Sequence, residues 1–393
     1  MTAAADAWIV RNRRTNTTRS GGSAFGAWLV ALALGLGVTT ARAGGEATPP
    51  PRLALLIVVD QMRGDYLERF APWFVDGGFR RMMKDGATFI DAHHRHALTA
   101  TAPGHATVAV GASADVHGVI ANDWFDFAGG RFSGAVEDAA APLVGAGASF
   151  LVRPGGLPAP DSTASPRRLL AATLGDQLKL RFGARARVIG LGNKDRAAIL
   201  LSGRLADSAY WIHGNRIVTS RYYREALPSW LEAYNATQPL DRWFGHSWDR
   251  LLETSVYDAV QGPDDAAGEE IRHGLGGRFP RRIDGGADEI GPEFYNAFRL
   301  DPASSVLVGE LAQQTIRGES LGQDDVPDLL TIGFSQLDHA GHSYGPDSHE
   351  VMDSVLRLDR VLAELLTFLD HVVGVDRYVV ALTADHGVAP LPE

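Results

Sequence analysis

Four short apolar runs divide the chain and predict the strands of a sheet. They cover residues 53–59, 187–191, 329–334 and 378–382 and consist mainly of Val, Ile and Leu. Parallel strands that are covered on both faces show such continuous apolar runs in place of polar–apolar alternation. Residues 167–181 and 349–373 carry Leu and Val at three- and four-residue spacing, which predicts helices. This order predicts an α/β fold with a mostly parallel central sheet and helices on both faces.

The segment from about residue 202 to residue 302 departs from this rhythm. It is rich in Gly, Trp, Tyr, Asp and Arg and shows no clear strand–helix alternation. We interpret it as a cap-like insertion within a single catalytic domain that covers residues 52–393.

Acidic residues follow three of the four predicted strands, at the point where each apolar run ends. They are Asp60, Asp338 and Asp385, and the last two have His342 and His386 nearby. A single aspartate in such a place is usually a helix cap or a turn residue. Open α/β sheets, however, bind ligands beyond the carboxyl ends of their strands. Three acids and two imidazoles in that setting predict a binding site at this edge.

Composition limits the chemistry of that site. The chain has no Cys, which excludes disulfides, thiolate metal ligands and a cysteine nucleophile. Any metal must therefore be held by Asp, Glu or His, and a mixture of imidazole and carboxylate favours zinc. The formal net charge of -10 argues against non-specific nucleic-acid binding.

A hydroxyl residue and two cations are candidates for binding a phosphoryl group. Thr101 lies two residues before Pro103, at the predicted start of a helix, where a threonine is often simply an N-cap. The functional alternative is that the positive helix end steadies a phosphoryl group on the Thr101 oxygen. Lys194 and Arg196 follow another predicted strand, and their point charge and forked guanidinium match phosphoryl oxygens.

The first 43 residues have the layout of an export signal. Four arginines between residues 11 and 19 precede an apolar run over 24–38, and residues 41–43 fit an A-x-A cleavage site. The apolar run is shorter than the roughly 20 residues of a membrane-spanning helix, which favours a cleaved signal. An uncleaved membrane anchor is the alternative. We predict an exported, periplasmic or secreted protein without a stable membrane span after cleavage, with a linker at 44–51.

Together, these segments resemble the alkaline phosphatase superfamily, and most closely its threonine-nucleophile bacterial alkaline phosphatases, which are related to type I phosphodiesterases and nucleotide pyrophosphatases. The likeness covers about residues 52–393. It rests on an ordered set of motifs: VVDQ (58–61), TAPGH (101–105), GVIAND (118–123), KDR (194–196), DHAGH (338–342) and TADHG (383–387).

The resemblance implies a role for each matching residue. Thr101 is expected to be the nucleophile, and Asn122, Lys194 and Arg196 are expected to bind phosphate. Two zinc ions are implied. The first is expected to be held by Asp60, Thr101, Asp385 and His386, and the second by Asp338 and His342. The implied activity is hydrolysis of small phosphate monoesters through a phospho-threonine intermediate.

The sequence departs from the family pattern at its end. Members continue past the Asp-His-Gly motif and supply another histidine to the second zinc, whereas this chain ends at Glu393. We expect it to be a C-terminally truncated piece whose activity is reduced. The alternatives are a naturally short chain, a phosphodiesterase or nucleotide pyrophosphatase, and a non-catalytic metal-binding protein. A sulfatase is disfavoured because its formylglycine derives from Cys or Ser, not from a threonine.

Overall fold

The parallel strands predicted from the apolar runs form the centre of one sheet. A computed structural model describes residues 8–11, 50–127, 129–146, 163–264, 266–269 and 273–391. Within these residues, nine strands form the main sheet in the order β3-β1-β13-β2-β12-β7-β8-β9-β6. Their bounds are β1 Trp8–Arg11, β2 Leu53–Val59, β3 Gly86–Phe89, β6 Leu143–Val144, β7 Val188–Gly192, β8 Ser208–His213, β9 Arg216–Ser220, β12 Asp328–Phe334 and β13 Tyr378–Ala384.

The register of the central strands aligns their carboxyl ends. Strands β13, β2, β12, β7 and β8 are mutually parallel, and Val59 pairs with both Phe334 and Ala384. The strands at the two ends of the sheet run antiparallel to their neighbours. Because β2 lies between β12 and β13, the residues that follow these three strands emerge at one level of one edge.

Alternate residues of β2 point to opposite faces, and each face is covered by helices. Ile57 belongs to a core cluster that includes Leu311 and Leu362, whereas Val58 belongs to a second cluster that includes Leu178 and Leu201. Both side chains are fully buried. The predicted mostly parallel sheet with helices on both faces is therefore confirmed.

The helices follow the strands in chain order. Their bounds are α1 Tyr66–Arg69, α2 Phe79–Asp85, α3 Thr101–Val110, α4 Ala114–His117, α5 Leu174–Phe182, α6 Asp195–Ser202, α7 Ser229–Ala236, α8 Thr254–Gln261, α9 Pro292–Phe298, α10 Ala303–Gly318, α11 Gln336–Tyr344 and α12 His349–Leu369. Short 3-10 turns occur at Ala71–Trp73, Gly183–Arg185 and Asp241–Trp243, and a π-helical turn at Asp370–Gly374. No helix of the described residues is long and apolar enough to cross a membrane.

The helix predicted at 167–181 begins later than its apolar spacing indicated. The Thr173 hydroxyl accepts a hydrogen bond from the backbone N–H of Asp176, whose carboxylate accepts one from the backbone N–H of Thr173. This capping box fixes the start of α5 at Leu174, and the apolar residues before it lie in turns. The other predicted helix is confirmed as α12, and its last turn becomes π-helical.

The segment predicted to be an insertion does not lie wholly outside the sheet. Strands β8 and β9, within 208–220, extend the main sheet, although the sequence showed no clear strand–helix alternation there. Both are short, and their polar ends obscured the apolar pattern. After residue 220 the segment carries α7, α8, α9 and a separate two-stranded sheet of β10 His246–Trp248 and β11 Arg281–Ile283. A second small sheet pairs β4 Asp123–Asp126 with β5 Arg131–Gly134. The cap-like insertion at about 202–302 stays a prediction.

Most of the predicted export signal and linker lies outside the described residues. Of the segment 1–43, only residues 8–11 are described, and their backbone forms β1 between β3 and β13. The export signal and its cleavage site stay predictions.

Candidate functional site

Acidic and imidazole groups converge where β2 and β13 end. One ligand atom each from Asp60, Asp385 and His386 lies within 4.8 Å of the other two, and all three residues are buried. The aligned register explains this meeting, because Asp60 and Asp385 both follow residues paired across the same rung. The sequence prediction that these three residues come together is confirmed.

The donor atoms of this group suit a cation. Nε2 of His386 lies 3.3 Å from Asp60 Oδ1 and 3.6 Å from Asp385 Oδ2, without the geometry of a hydrogen bond to either. Buried polar atoms usually have hydrogen-bond partners. Carboxylate and imidazole atoms that converge without hydrogen bonds to one another therefore resemble the ligand atoms of a metal site. Carboxylate oxygen and imidazole nitrogen are donors that zinc accepts in the absence of Cys. The residues therefore fit the metal that the sequence implies.

Thr101 adds its hydroxyl to the same group. It is the first residue of α3, and the N-cap is Ala100, so the interpretation of Thr101 as an N-cap was wrong. The Thr101 hydroxyl lies 3.3 Å from Asp60 Oδ2, to which it donates, and the side chain is 97% buried. The positive end of α3 therefore lies where a group bonded to this oxygen would sit.

Lys194 is the buried cation of the site. Its Nζ donates to Asp60 Oδ2 at 2.7 Å, to Asp338 Oδ2 at 2.5 Å and to Thr101 Oγ1 at 3.2 Å. Lys194 precedes α6 as its N-cap residue, directly after β7. One ammonium thus connects the two groups of predicted metal ligands and contacts the candidate nucleophile.

The second predicted pair of ligands is also adjacent. His342 Nε2 lies 3.1 Å from Asp338 Oδ1, four residues apart on α11. Asp338 is buried, whereas the His342 side chain is 62% exposed. This half of the site is therefore the one that faces solvent.

The two other predicted phosphate-binding residues, Asn122 and Arg196, differ in their hydrogen bonding. Asn122 Oδ1 accepts a hydrogen bond of 2.8 Å from the backbone N–H of Ala102, which fixes the amide at the start of α3. Arg196 instead lies 3.6 Å from Asp195, and its Nε is buried without a hydrogen-bond partner in the described part of the chain. Burial and then the neighbouring Arg196 lower the pKa of Arg299 to about 10, so two guanidinium groups stand near each other here.

The charges of the site change how its members titrate. Burial raises the pKa of Asp60, but Lys194 and His386 outweigh burial and hold that pKa well below its usual range. Burial lowers the pKa of His386, and Asp385 and Asp60 reverse this and raise it to about 10. Asp60 is therefore ionised at neutral pH, which is the form that binds a metal.

Two residues of the site were given no role from the sequence. Gln61 follows Asp60 and contacts two of the predicted ligands, and His105 Nδ1 lies 2.9 Å from Asp385 and 2.9 Å from the Thr101 carbonyl oxygen. The i,i+4 spacing of Thr101 and His105 was a usable signal, since it places both on one helical face. Gln61 offered only its position beside an acid at a strand end.

Comparison with known proteins identifies the family. A sequence model of the type I phosphodiesterase / nucleotide pyrophosphatase family matches residues 54–393. The chain belongs to this family. The match confirms the resemblance that the motifs indicated.

Relatives in this family include proteins named as alkaline phosphatases. The chain is 33% identical over 368 residues to alkaline phosphatase PafA of Elizabethkingia meningoseptica, covering 92% of this chain and 64% of PafA. It is 31% identical over 344 residues to alkaline phosphatase PhoV of Synechococcus elongatus, covering 87% of this chain and 60% of PhoV. The crystal structure of wild-type PafA superposes with a TM-score of 0.77 at 32% identity, covering 88% of this chain and 64% of that chain. The chain thus spans less than two thirds of the length of these relatives.

Proposed function

We propose that the protein hydrolyses phosphate monoesters through a covalent phospho-threonine at Thr101, with two zinc ions as cofactors. The observation that carries this proposal is the buried Thr101 hydroxyl, 3.2 Å from Lys194 Nζ and 3.3 Å from Asp60 Oδ2, beside the converging Asp385 and His386. A nucleophile, a cation for phosphoryl oxygens and a set of metal ligands meet there. The names of the relatives PafA and PhoV support the same class of reaction.

Each ligand group would hold one ion in this proposal. Asp60, Asp385, His386 and the Thr101 oxygen would hold the first, and Asp338 with His342 would hold the second. When bound, such a pair stabilises the attacking and the leaving oxygens of an in-line displacement and lowers the pKa of coordinated oxygen.

The residues of the chain then divide the reaction into two displacements. In the first, the Thr101 hydroxyl gives its proton to solvent and its oxygen forms a bond to phosphorus while the bond from phosphorus to the ester oxygen breaks; the departing alkoxide takes a proton from solvent and leaves as the alcohol. In the second, a water oxygen loses a proton to solvent and attacks the phosphorus of phospho-threonine, the bond to the Thr101 oxygen breaks, inorganic phosphate leaves, and the Thr101 oxygen takes a proton and is restored as a hydroxyl. Lys194 Nζ lies 3.2 Å from the Thr101 oxygen, where its charge would offset charge on the transferred group.

Asn122 and Arg196 would complete the binding of phosphoryl oxygens. The Asn122 carbonyl oxygen is already engaged by Ala102, which leaves its amide N–H groups as the donors for a ligand. Arg196 has an unbonded Nε among the described residues and lies two positions after Lys194. A monoester carries one more anionic oxygen than a diester, so two cations favour the monoester.

A phosphodiesterase or nucleotide pyrophosphatase is the second candidate, and the description of the matched family favours it. Rates on a nitrophenyl phosphate monoester and on the matching nitrophenyl phosphate diester separate the two candidates. We expect the monoester to be hydrolysed faster. A Lys194→Ala, Arg196→Ala variant should lose more monoester rate than diester rate, because the two cations that bind the extra anionic oxygen of the monoester are removed.

Variants at Thr101 test the mechanism. We expect Thr101→Ala to abolish turnover, with a loss of roughly a thousandfold or more in kcat/KM, while Thr101→Ser retains measurable hydrolysis. Acid quenching during turnover followed by mass spectrometry should find the phosphoryl group on the peptide that contains Thr101. Equal hydrolysis by the unchanged chain and by Thr101→Ala would contradict the proposal. A complete lack of turnover in an unchanged chain that binds zinc would favour the non-catalytic metal-binding alternative.

The partners expected for this function are small phosphorylated molecules. Export to the periplasm or medium remains part of the proposal and rests on the sequence of residues 1–43.

A further inference from the structure

Gln61 contacts both groups of predicted metal ligands, the group of Asp60, Asp385 and His386 and the pair of Asp338 and His342. Its backbone N–H donates to Asp385 Oδ1 at 3.1 Å, and its side-chain Nε2 donates to Asp338 Oδ1 at 2.9 Å. It also follows Asp60 directly in the chain. A single residue is therefore linked to carboxylates at the ends of three strands, and those carboxylates belong to both predicted metal positions.

The backbone of Gln61 is in an unusual conformation that serves these contacts. Its φ is +66°, in the left-handed region that residues with a Cβ adopt at a conformational cost. The side chain is only 3% exposed. A strained, buried polar residue at a functional site is a reason to look for a role that compensates the strain.

The opposite wall of the site keeps the Gln61 amide in place. Gly341 of α11 faces it so closely that a Cβ at this position would lie 2.0 Å from Gln61 Oε1. Alanine favours helices more than glycine does, so a glycine inside α11 is not explained by helix stability. It is explained by the space that the Gln61 side chain occupies.

We propose that Gln61 is a positioning residue that couples the two metal positions, an inference that rests on the proposed metal-dependent function. Gln61 holds Oδ1 of Asp338 and Oδ1 of Asp385, so the other oxygen of each carboxylate is turned toward the site. There Oδ2 of Asp338 bonds Lys194, which a metal would displace, and Oδ2 of Asp385 lies 3.6 Å from His386 Nε2. Groups that orient ligands in this way commonly change metal affinity by about 10- to 100-fold when they are removed. Gln61 thereby fixes which oxygen of each acid faces the site and the distance between the two halves.

Two variants disturb Gln61 from opposite sides. Gln61→Met keeps the size of the side chain and removes the amide donor, whereas Gly341→Ala keeps the amide and displaces it. Gly276→Ala is the matched control, because a Cβ added at Gly276 meets no atom within 4 Å. Zinc affinity of the full chain is measured by competition with a chromophoric chelator, together with the unfolding midpoint with and without zinc.

We expect both variants to bind zinc about 10- to 100-fold more weakly than the unchanged chain, and the control to match it. Because zinc stabilises the folded state according to its affinity, the rise in unfolding midpoint caused by zinc should also shrink. A merely structural role would instead lower the midpoints with and without zinc by the same amount and leave zinc affinity unchanged. That result in both variants would overturn the proposal.

The same measurements separate this inference from the proposed function. Zinc binding that depends on Gln61, in a chain that hydrolyses no phosphate ester, would support the inference and contradict the function. An unchanged chain that binds no zinc would contradict the metal site and the role of Gln61 together.

Discussion

Two buried clusters of charge in this molecule have opposite compositions. Around Thr101, three carboxylates meet two cations: Lys194 bonds Asp60 and Asp338, and His386, whose pKa is raised to about 10, lies beside Asp60 and Asp385. Between β11 and α12, a single guanidinium, Arg281, pairs with a single carboxylate, Glu350, and both side chains are at most 2% exposed. The first cluster has an excess of negative charge, whereas the second is balanced.

The surroundings of the two clusters match this difference. The Arg281 guanidinium lies over the rings of Phe279 and Tyr344, at 4.6 and 4.5 Å from the ring centroids, so the pair is enclosed by aromatic side chains. Burial outweighs Arg281 and raises the pKa of Glu350, whereas Lys194 and His386 together outweigh burial and lower the pKa of Asp60. Both clusters contain buried polar atoms without a hydrogen-bond partner among the described residues, including Nε of Arg281, Oε2 of Glu350 and Nε2 of His386. The difference is the charge: the Arg281–Glu350 pair is balanced, whereas a cluster with more acids than cations favours an additional cation. The contrast separates a structural ion pair from a candidate metal site.

The largest effect that we predict comes from removing the cation of each cluster. Arg281→Met removes the guanidinium that pairs with Glu350. Lys194→Met removes the ammonium from Asp60 and Asp338, which keep only their contacts to neutral donors and imidazoles. In chelator, each change should lower the free energy of unfolding by about 3–5 kcal/mol, measured by urea denaturation. Zinc should restore most of the loss in Lys194→Met, because the metal replaces the missing positive charge.

Arg281→Met is the control for that rescue. Its stability should gain from zinc only as much as the stability of the unchanged chain does, because Glu350 is not among the ligands. Equal rescue of both variants, or of neither, would show that the two clusters do not differ in the way described here.

A buried acid without a hydrogen-bonded cation in the described residues, Asp301, sharpens the comparison; His246 Nε2 lies 4.0 Å from its Oδ2. Asp301 accepts a 2.6 Å hydrogen bond from the N–H of Ala303, but its Oδ2 is buried without a hydrogen-bond partner in the described residues. Burial raises its pKa to about 7. Since the folded-state pKa is above the ordinary value, the stability that the protonated acid contributes is complete below about pH 4 and is lost as pH rises through about 7.

Asp301→Asn should therefore flatten the pH dependence of unfolding. It should match the unchanged chain near pH 4 and exceed its stability at pH 8 by up to about 4 kcal/mol, as judged by urea denaturation across that range. If the two proteins lose stability in parallel between pH 4 and pH 8, the proposed titration of Asp301 is wrong.

The smallest predicted effect concerns the packing of α3 against the acid-rich cluster. A Cβ at Gly104 would lie 2.7 Å from the Asp385 carbonyl oxygen and 2.8 Å from Asp385 Cβ. Gly104→Ala should cost about 1–3 kcal/mol of stability through overpacking. It should also lower phosphatase activity on the order of 100-fold through a displaced ligand. A variant as active as Gly276→Ala would show that α3 and Asp385 can move apart freely.

The sequence predicted the centre of the fold better than its periphery. Four continuous apolar runs correspond to β2, β7, β12 and β13, because strands covered on both faces carry an unbroken apolar signal. Strands β8 and β9 were missed, since their ends are polar and they lie in a segment without clear periodicity. The start of α5 was misplaced because a capping box, rather than apolar spacing, determines where that helix begins.

The site was predictable to a similar degree. Strand-end acids could be expected to meet because parallel strands end at one edge, and Asp60, Asp385 and His386 do so. The position of Lys194 between Asp60 and Asp338 depends on how β7 aligns with β12, which no local pattern encodes. The contacts of Gln61 depend on its left-handed backbone and on its closeness to Gly341, and neither is visible in the sequence.

Anomalous diffraction at the zinc edge from crystals of the zinc-loaded chain tests the central claim most directly. We predict a peak within bonding distance, about 2.0–2.2 Å, of Asp60, Asp385 and His386, next to the Thr101 oxygen. Zinc peaks found only elsewhere on the protein, with Lys194 still bonded to Asp60 and Asp338, would contradict the account.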